Sequence, residues 1–379
     1  MSCDPVQGGG SVERTLQMSR YLARSGIECT VLTTDVGLTG DHPVDLEGVS
    51  LIKLKTMLQR YYLPRFSCKG IGRIVERADI IQLMNHWTFL NAVVYVIARR
   101  RNKPYVVCPA GSLPYYGRSR TLKRIYNTVI GRRIVRNAHR CIAISPDEID
   151  HFRSYGVEDD RISTIPNAIR PEDLAHEGAN TFRDDFGIGE APFILFVGRL
   201  NAIKGPDLLL KAFQNRLGCG NFKYDLVFAG PDGGMLTELK GMVADMGVAG
   251  RVHFVGYLGN RDKSNAYRAS DLLVIPSRQE AMSIVVLEAG MTKTPVLLTD
   301  RCGFDAVESI GGGKVVPATV EGLEAGLAKL LDRPEVLRPM GIRLYRYVSE
   351  NFTWDTMIKK YLSLYETILG DAPWKGVPR

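Results

Sequence analysis

Two pairs of charged residues stand out by type and spacing. Arg199 and Lys204 share the segment Gly198-Arg199-Leu200 to Lys204-Gly205, and Glu280 and Glu288 bracket the apolar run AMSIVVL. An arginine and a lysine in one loop can neutralise a diphosphate, the first as a planar fork and the second as a point charge. The same residues can equally be two solvated surface cations. A carboxylate in a loop ahead of a helix can accept hydrogen bonds from sugar hydroxyls. One further along can hold a ribose diol, as acidic residues do in dinucleotide sites. Both can also be ordinary helix-start acids favoured by the dipole.

Three further features carry chemistry. His86 follows the run DIIQLM and precedes Trp87. An unshifted histidine there can donate or accept a proton near pH 7, or can be a structural side chain. Gly8-Gly9-Gly10-Ser11 leads into a helical pattern at Val12, Leu16, Tyr21 and Leu22. Glycines at a helix start let amide N–H groups approach an anion, although a plain tight turn has the same signature. The largest electrostatic feature is the interval between Asp79 and Asp147. It contains no acidic residue but holds Arg99, Arg100, Arg101, Lys103, Arg118, Arg120, Lys123, Arg124, Arg132, Arg133, Arg136 and Arg140. Within it Leu122, Ile125, Val129, Ile130 and Ile134 recur at helical spacing, with arginines between them. A basic amphipathic helix of this kind is a membrane-surface element, with a solvated face as the plain alternative. Nucleic acid is the competing polyanion, but no nucleic-acid-binding motif accompanies the charge.

The elements that must position these residues are legible. In the second half the runs 193–198, 224–230, 251–257, 271–277 and 294–300 have the unbroken apolar character of buried parallel strands. Helical patterns near 206–216, 235–246, 262–270 and 283–292 separate them, and three more helices fill 320–369. Alternation of this kind predicts a doubly wound α/β domain. The first half shows strand runs at 28–34, 49–55, 78–84, 104–110 and 139–145. Two Rossmann-like domains follow, 1–171 and 172–354, with 355–379 as a closing helix. Their mutual cleft, at the carboxyl ends of the strands, is the expected ligand site. A Rossmann-like domain opens with a strand that feeds its glycine loop. Met1–Gln7 are not strand-like, so the expectation is that the true start lies upstream of Met1.

Composition sets the remaining bounds. At 379 residues the chain is too long for one ordinary core. Its 45% hydrophobic and 24% charged content excludes a disordered or fibrous chain. The net charge of +8 is uneven, because residues 1–170 are strongly basic and the remainder is near neutral. The halves are therefore expected to face different partners. The Cys residues number 7 and include no C-x-x-C, which argues against a disulfide framework or structural zinc and for a reduced, cytoplasmic compartment. The N-terminus has no secretory signal pattern. Residues 80–98 are uncharged and long enough to span a bilayer, but Gln82, Asn85, His86, Thr88 and Asn91 favour a buried strand followed by a buried helix.

Taken together, GRLNAIKG, IPNAI, FAGP, VHFVGYL and PSRQEAMSIVVLEAG followed by TPVLLTD resemble a retaining glycosyltransferase of the GT-B fold, family 4 (glycosyl transferases group 1). The most specific part is the E-x7-E acid pair combined with the upstream arginine and lysine. The resemblance implies that the second domain binds a UDP- or GDP-linked sugar and the first binds the acceptor. It places Arg199 and Lys204 on the diphosphate, Glu280 on sugar hydroxyls and Glu288 on the ribose. Tyr257 and Leu258 would line the base, and Ala281, Met282 and Ser283 would approach sugar and phosphate through their backbone. Gly9 and Gly10 would close over the diphosphate, and His86 would lie near the transferred sugar. The family usually has E-G-F-G-L where this chain has Glu280-Ala281-Met282-Ser283-Ile284, which narrows the approach to the backbone.

The same resemblance implies transfer to an acceptor hydroxyl with the α configuration retained, through same-face attack, with domain closure excluding water. It implies no cofactor and no metal, the two cations taking the metal's place. A lipid-linked or cell-envelope saccharide acceptor (lipopolysaccharide, O-antigen or exopolysaccharide) follows from the basic face, with the protein peripheral at the cytoplasmic membrane. Rival readings are a sugar-nucleotide epimerase on the same scaffold and a non-catalytic polyanion-binding protein. A dinucleotide oxidoreductase would need G-x-G-x-x-G, which Gly8–Gly10 does not supply.

Overall fold

The computed structural model describes residues 9–37, 46–58, 63–65, 68–115, 119–176, 179–218, 220 and 222–370. The chain divides into two units, Met1–Asn167 with Trp354–Arg379, and Ala168–Thr353.

The first unit begins with α1 (Gly10–Arg24), whose Val12, Leu16, Tyr21 and Leu22 are all buried, as their helical spacing requires. It continues through β1 (Cys29–Thr34), β2 (Val49–Leu54), β3 (Thr56–Leu58), β4 (Leu63–Pro64), α2 (Cys68–Arg77), β5 (Ile81–Met84), α3 (Phe89–Arg100) and β6 (Tyr105–Cys108). Then come α4 (Arg120–Tyr126), a π-helical turn (Asn127–Gly131), α5 (Arg132–Arg136), β7 (Arg140–Ala143), α6 (Asp147–Ser154) and β8 (Ile162–Thr164). Strands β5-β6-β7-β8 form a parallel sheet, β1 pairs with β2 in parallel, and β3–β4 is an antiparallel hairpin. Among the described residues no pairing joins β1–β2 to β5–β8. The strand expected ahead of the glycines falls on residues 1–8, outside the described residues.

Residues 80–98 form β5 and α3, the latter capped by the Thr88 hydroxyl, which accepts from the Asn91 amide at 3.1 Å. Among the described residues no helix is long and apolar enough to cross a membrane.

The second unit is built from α7 (Ala179–Phe186), β9 (Phe193–Val197), α8 (Pro206–Leu217), β10 (Asp225–Ala229), α9 (Leu236–Asp245), β11 (Val252–Gly256), α10 (Asn260–Ala269), β12 (Leu272–Ile275), α11 (Ile284–Met291), β13 (Val296–Thr299), α12 (Ala306–Ser309), β14 (Gly313–Val316), α13 (Val320–Leu331) and α14 (Leu337–Asn351). Six strands pair in parallel in the order β11-β10-β9-β12-β13-β14. All of β10, β12 and β13 is buried, which is why these runs are apolar without alternation. Strand order reverses between β9 and β12, the topological switch point where open α/β sheets bind ligands. Strands β8 and β14 escape the sequence pattern because each lies at a sheet edge and is half-exposed, so it needs no long apolar run.

The last helix, α15 (Trp354–Leu369), belongs to the first unit. Trp354 stacks on Tyr21 of α1 at 6.0 Å between ring centroids. Arg14, 1% exposed, reaches from α1 to four acceptors: Ile165 O at 2.7 Å, Pro166 O at 2.8 Å, Asn167 Oδ1 at 2.9 Å and Tyr361 OH at 2.7 Å. One guanidinium thus ties α1 to α15 and to the segment that leaves the unit at Asn167.

Candidate functional site

In the second unit, the loops after β9 and β12 meet at the switch point. The β9 loop carries Arg199 and Lys204, and the β12 loop carries Ser277, Glu280 and Ala281–Ser283. Gly205 sits between them with φ +68°, and a Cβ there would lie 2.1 Å from the Pro276 carbonyl oxygen. Only glycine allows that backbone-to-backbone approach. It brings the Lys204 ammonium onto the Glu280 carboxylate, and the Ser277 hydroxyl donates to the same Glu280 oxygen at 2.6 Å. The Lys204 amide is held by Asn201 Oδ1 at 3.0 Å. Burial pushes the Glu280 carboxyl up, but the Lys204 ammonium and the Ser277 and Ser283 hydroxyls outweigh it and hold it below the usual range. The Glu280 side chain is 10% exposed and Lys204 32%, so the lysine is the more open to solvent of the two. Arg199 is half-buried, its aliphatic stem lying where a Cβ on Gly233 would be.

Glu288 stands in the second turn of α11. Both of its carboxylate oxygens are engaged by α10: Lys263 Nζ donates at 2.6 Å and Tyr267 OH at 2.6 Å. A diol at Glu288 would share the carboxylate with these two donors. Of the amides around Ala281, Met282 and Ser283, that of Ser283 donates to the Cys302 carbonyl at 3.2 Å and is not open to a phosphate. Met282 and Ser283 are buried, whereas Tyr257 after β11 is exposed and Leu258 buried. Lys263, Tyr267 and Ser277 carry no sequence signal for this role. The two α10 residues are one helical turn apart, but their partner lies 25 and 21 residues downstream.

In the first unit, Gly9 and Gly10 are exposed at the start of α1. His86, after β5, is 1% exposed. Its ring lies within 6 Å of Trp87, Tyr126 and Tyr155, each edge-on. Its Nε2 is 3.1 Å from Asn127 Oδ1, and the Asn127 amide donates to Tyr115 OH at 2.6 Å and Tyr155 OH at 3.0 Å. With the Asn127 nitrogen so committed, Nε2 carries the proton and Nδ1 the lone pair. Nδ1 is buried and has no partner among the described residues. A Cβ on Gly131 would stand 2.5 Å from Asn127 Oδ1 and 3.0 Å from Nε2, so the π-helical turn and its glycine make room for this network.

Burial pushes His86 down to about 4, with the Asn127 bond partly opposing. His86 is therefore neutral at pH 7 and is a hydrogen-bonding group. The linkage sign follows. An unfolded histidine protonates near 6.5 and the folded one resists until about 4, so the stabilisation is complete above 6.5 and is lost as pH falls from 6.5 to 4. His86→Gln is expected to remove about 3 kcal/mol of acid sensitivity over that window. Urea titrations of both proteins at pH 7 and pH 4.5 check it; an unchanged pH slope would refute the assignment.

The basic segment differs from its expected form. Arg120, Arg124, Arg132, Arg133 and Arg136 are exposed, and Lys123 lies with its Nζ 5.4 Å from the Trp87 ring centre. Arg118 lies outside the described residues. The apolar stripe is split. Ile134 is 2% exposed and Ile130 half-buried, but Leu122 is 50%, Ile125 55% and Val129 63% exposed. The buried face is instead Tyr126, Asn127, Ile130, Gly131 and Ile134, because the wider π turn takes the place of a regular one and rotates the pattern.

Two parallel-sheet α/β units, one carrying a paired lysine and carboxylate at its switch point, are the architecture of the GT-B glycosyltransferases. Residues 179–346 match glycosyl transferases group 1 and residues 9–168 match the glycosyl transferase 4-like domain, and the chain belongs to the group 1 glycosyltransferases of the GT-B fold. A D-inositol 3-phosphate glycosyltransferase of Nocardia farcinica is 30% identical over 253 residues, which cover 63% of this chain and 54% of that protein, so the chain spans about half the length of this curated relative. Among solved structures, Anabaena HepE in complex with UDP and glucose is similar with a TM-score of 0.79 at 16% identity, covering 95% of this chain and 96% of that one. WaaG, a glycosyltransferase involved in lipopolysaccharide biosynthesis, is similar with a TM-score of 0.69 at 20% identity, covering 96% of each chain.

Proposed function

We propose that the protein transfers a sugar from a UDP- or GDP-linked donor to an acceptor hydroxyl with retention of configuration. The observation that carries this reading is the Lys204–Glu280 pair at the β9/β12 switch point. Charge builds on the leaving diphosphate as the sugar becomes oxocarbenium-like. Arg199 and Lys204, at the carboxyl end of β9, stabilise that charge, so no metal ion is needed for it. Glu280, kept ionised by Lys204, accepts from sugar hydroxyls and orients the ring. Glu288 receives the ribose while tied to Lys263 and Tyr267. The leaving phosphate oxygen takes the acceptor's proton, so neutral His86 is not needed as a general base. The UDP complexes of HepE support a uridine donor, and the names of the curated relatives and of WaaG support polyol phosphate or envelope saccharide acceptors.

A screen of UDP- and GDP-sugars for nucleoside diphosphate release, with and without saccharide acceptors, tests the reading. Acceptor-dependent release with an α-linked product supports it. Conversion of the donor without acceptor would instead establish an epimerase, and no release from any donor would leave a polyanion-binding protein.

We propose that the acceptor face meets an anionic bilayer. Exposed Leu122, Ile125 and Val129 beside exposed Arg120, Arg124, Arg132, Arg133 and Arg136 support it. Apolar side chains enter the interface, and each near-surface cation contributes about 1 kcal/mol on anionic lipid. Binding to phosphatidylglycerol vesicles is expected to exceed binding to phosphatidylcholine vesicles and to weaken with salt. Leu122→Asp with Ile125→Asp is expected to lower it several-fold. Equal binding to both vesicle types would defeat the placement.

A further inference from the structure

The sheet does not hold the two loops of the donor site together. The register of β9 and β12 is confined to Leu272↔Ile194 and Leu273↔Leu195, well before either loop begins. What joins the loops is a set of contacts beyond the strand ends, and one side chain makes most of them. Arg278 donates from its backbone N–H to the Ile203 carbonyl at 2.8 Å and from Nη1 to the Ala202 carbonyl at 2.7 Å. Its guanidinium also forks onto Asp207, Nη1 to Oδ1 at 2.8 Å and Nη2 to Oδ2 at 2.6 Å. Ala202 and Ile203 precede Lys204, and Asp207 is in the first turn of α8, so Arg278 grips the β9 loop on both sides of Lys204.

The charges are crossed. The β9 side contributes Lys204 and Asp207, and the β12 side contributes Glu280 and Arg278, so a cation and an anion come from each. Loss of the Arg278 pair leaves Lys204–Glu280 as the remaining ion pair between the loops. The Arg278 pair has the planar two-bond form, which fixes distance and angle together, whereas a lysine fixes only distance. Asp207 is held below the usual range by Arg278 against the upward push of burial, so the pair is ionised across the working pH range.

We infer that Arg278 is a positioning residue for glycosyl transfer: through Ala202, Ile203 and Asp207 it sets the place of the Lys204 ammonium relative to Glu280. This rests on the donor-site reading given above. Arg278 is not asked to touch the donor. Its effect is transmitted through Lys204, and so it should vanish when Lys204 is gone.

The test is a double-mutant cycle on the full chain, with UDP and GDP binding followed by calorimetry and sugar transfer by nucleoside diphosphate release. Arg278→Ala is expected to weaken diphosphate binding and to lower kcat/KM by about tenfold, the scale of a misplaced binding group. Arg278→Lys keeps the charge but loses the fork and should recover only part. In the Lys204→Ala background, Arg278→Ala should cost less than about threefold more. Asp207→Asn, nearly isosteric, provides the same reading should Arg278→Ala fold poorly. An Arg278→Ala or Asp207→Asn enzyme within twofold of wild type overturns the inference, as does an equal loss with and without Lys204. Wild-type protein that binds neither diphosphate overturns the donor-site reading and this inference with it. Loss on Lys204→Ala without loss on Arg278→Ala overturns this inference alone.

Discussion

Lys204→Ala is expected to reduce sugar transfer at least tenfold, and Glu280→Ala to do the same, each tenfold being about 1.4 kcal/mol of transition-state stabilisation. The two losses have different causes. In the proposed reaction, removing Lys204 withdraws from the leaving diphosphate a cation that is 32% exposed. It also strips Glu280 of the charge that keeps it ionised, so burial is left unopposed and the Glu280 carboxyl rises. The acid limb of the pH–rate profile should therefore move to higher pH in Lys204→Ala. Removing Glu280 leaves the Lys204 charge in place, so on the proposed reading the loss should fall on the sugar: nucleoside diphosphate binding is expected to be retained while transfer is not. Glu280→Gln, which keeps the shape and drops the charge, separates orientation from electrostatics. Measured kcat/KM for the wild type and the three variants decides it. Near-normal transfer in both alanine variants would remove the site from the β9/β12 loops.

Arg14→Ala is expected to destabilise the first unit by about 3 kcal/mol or more, since each buried acceptor left without a donor costs about 1–3 kcal/mol. Arg14 is among the largest fully buried side chains, and its partners are carbonyls, an amide and a phenol, not a carboxylate. Without it the Ile165 carbonyl and the Tyr361 hydroxyl lose a donor in a place where water does not replace it. Arg14→Lys should recover little, because one ammonium cannot reach acceptors spread across a fork. Tyr361→Phe removes one bond of the four and should cost about 1 kcal/mol. Residues 168–353 contain no tryptophan, whereas Trp87 and Trp354 belong to the first unit, so tryptophan fluorescence reports this unit by itself. Urea unfolding of Arg14→Ala with a wild-type midpoint would show that the network is dispensable.

How much of this was legible beforehand depends on where each residue sits. The strands β9, β10, β12 and β13 were readable because burial on both faces forces an unbroken apolar run. The helix starts at Pro206 and Ser283 were readable because helix geometry is local. Edge strands β8 and β14 were not, since half-exposed backbone accepts polar residues. The basic segment shows the limit of periodicity: Leu122, Ile125 and Val129 have the spacing of a buried stripe and are exposed. Spacing identifies a face, but not what the face meets. His86 shows the same limit in electrostatics. Its type is visible in the sequence, but the ring cage that keeps it neutral is drawn from Trp87, Tyr126 and Tyr155.

The sequence by itself determined the fold class, the placement of Arg199, Lys204 and Glu280 at strand ends, and the concentration of positive charge between Asp79 and Asp147. Each of these follows from composition or from spacing within one element. Tertiary structure alone decided the pairings: Lys204 with Glu280 across 76 residues, Glu288 with Lys263 and Tyr267, Asp207 with Arg278, and Arg14 with Tyr361. Ion pairs and hydrogen bonds act over a few ångströms and carry no period along the chain. Only the folded chain, by bringing distant loops and helices together, gives them their partners.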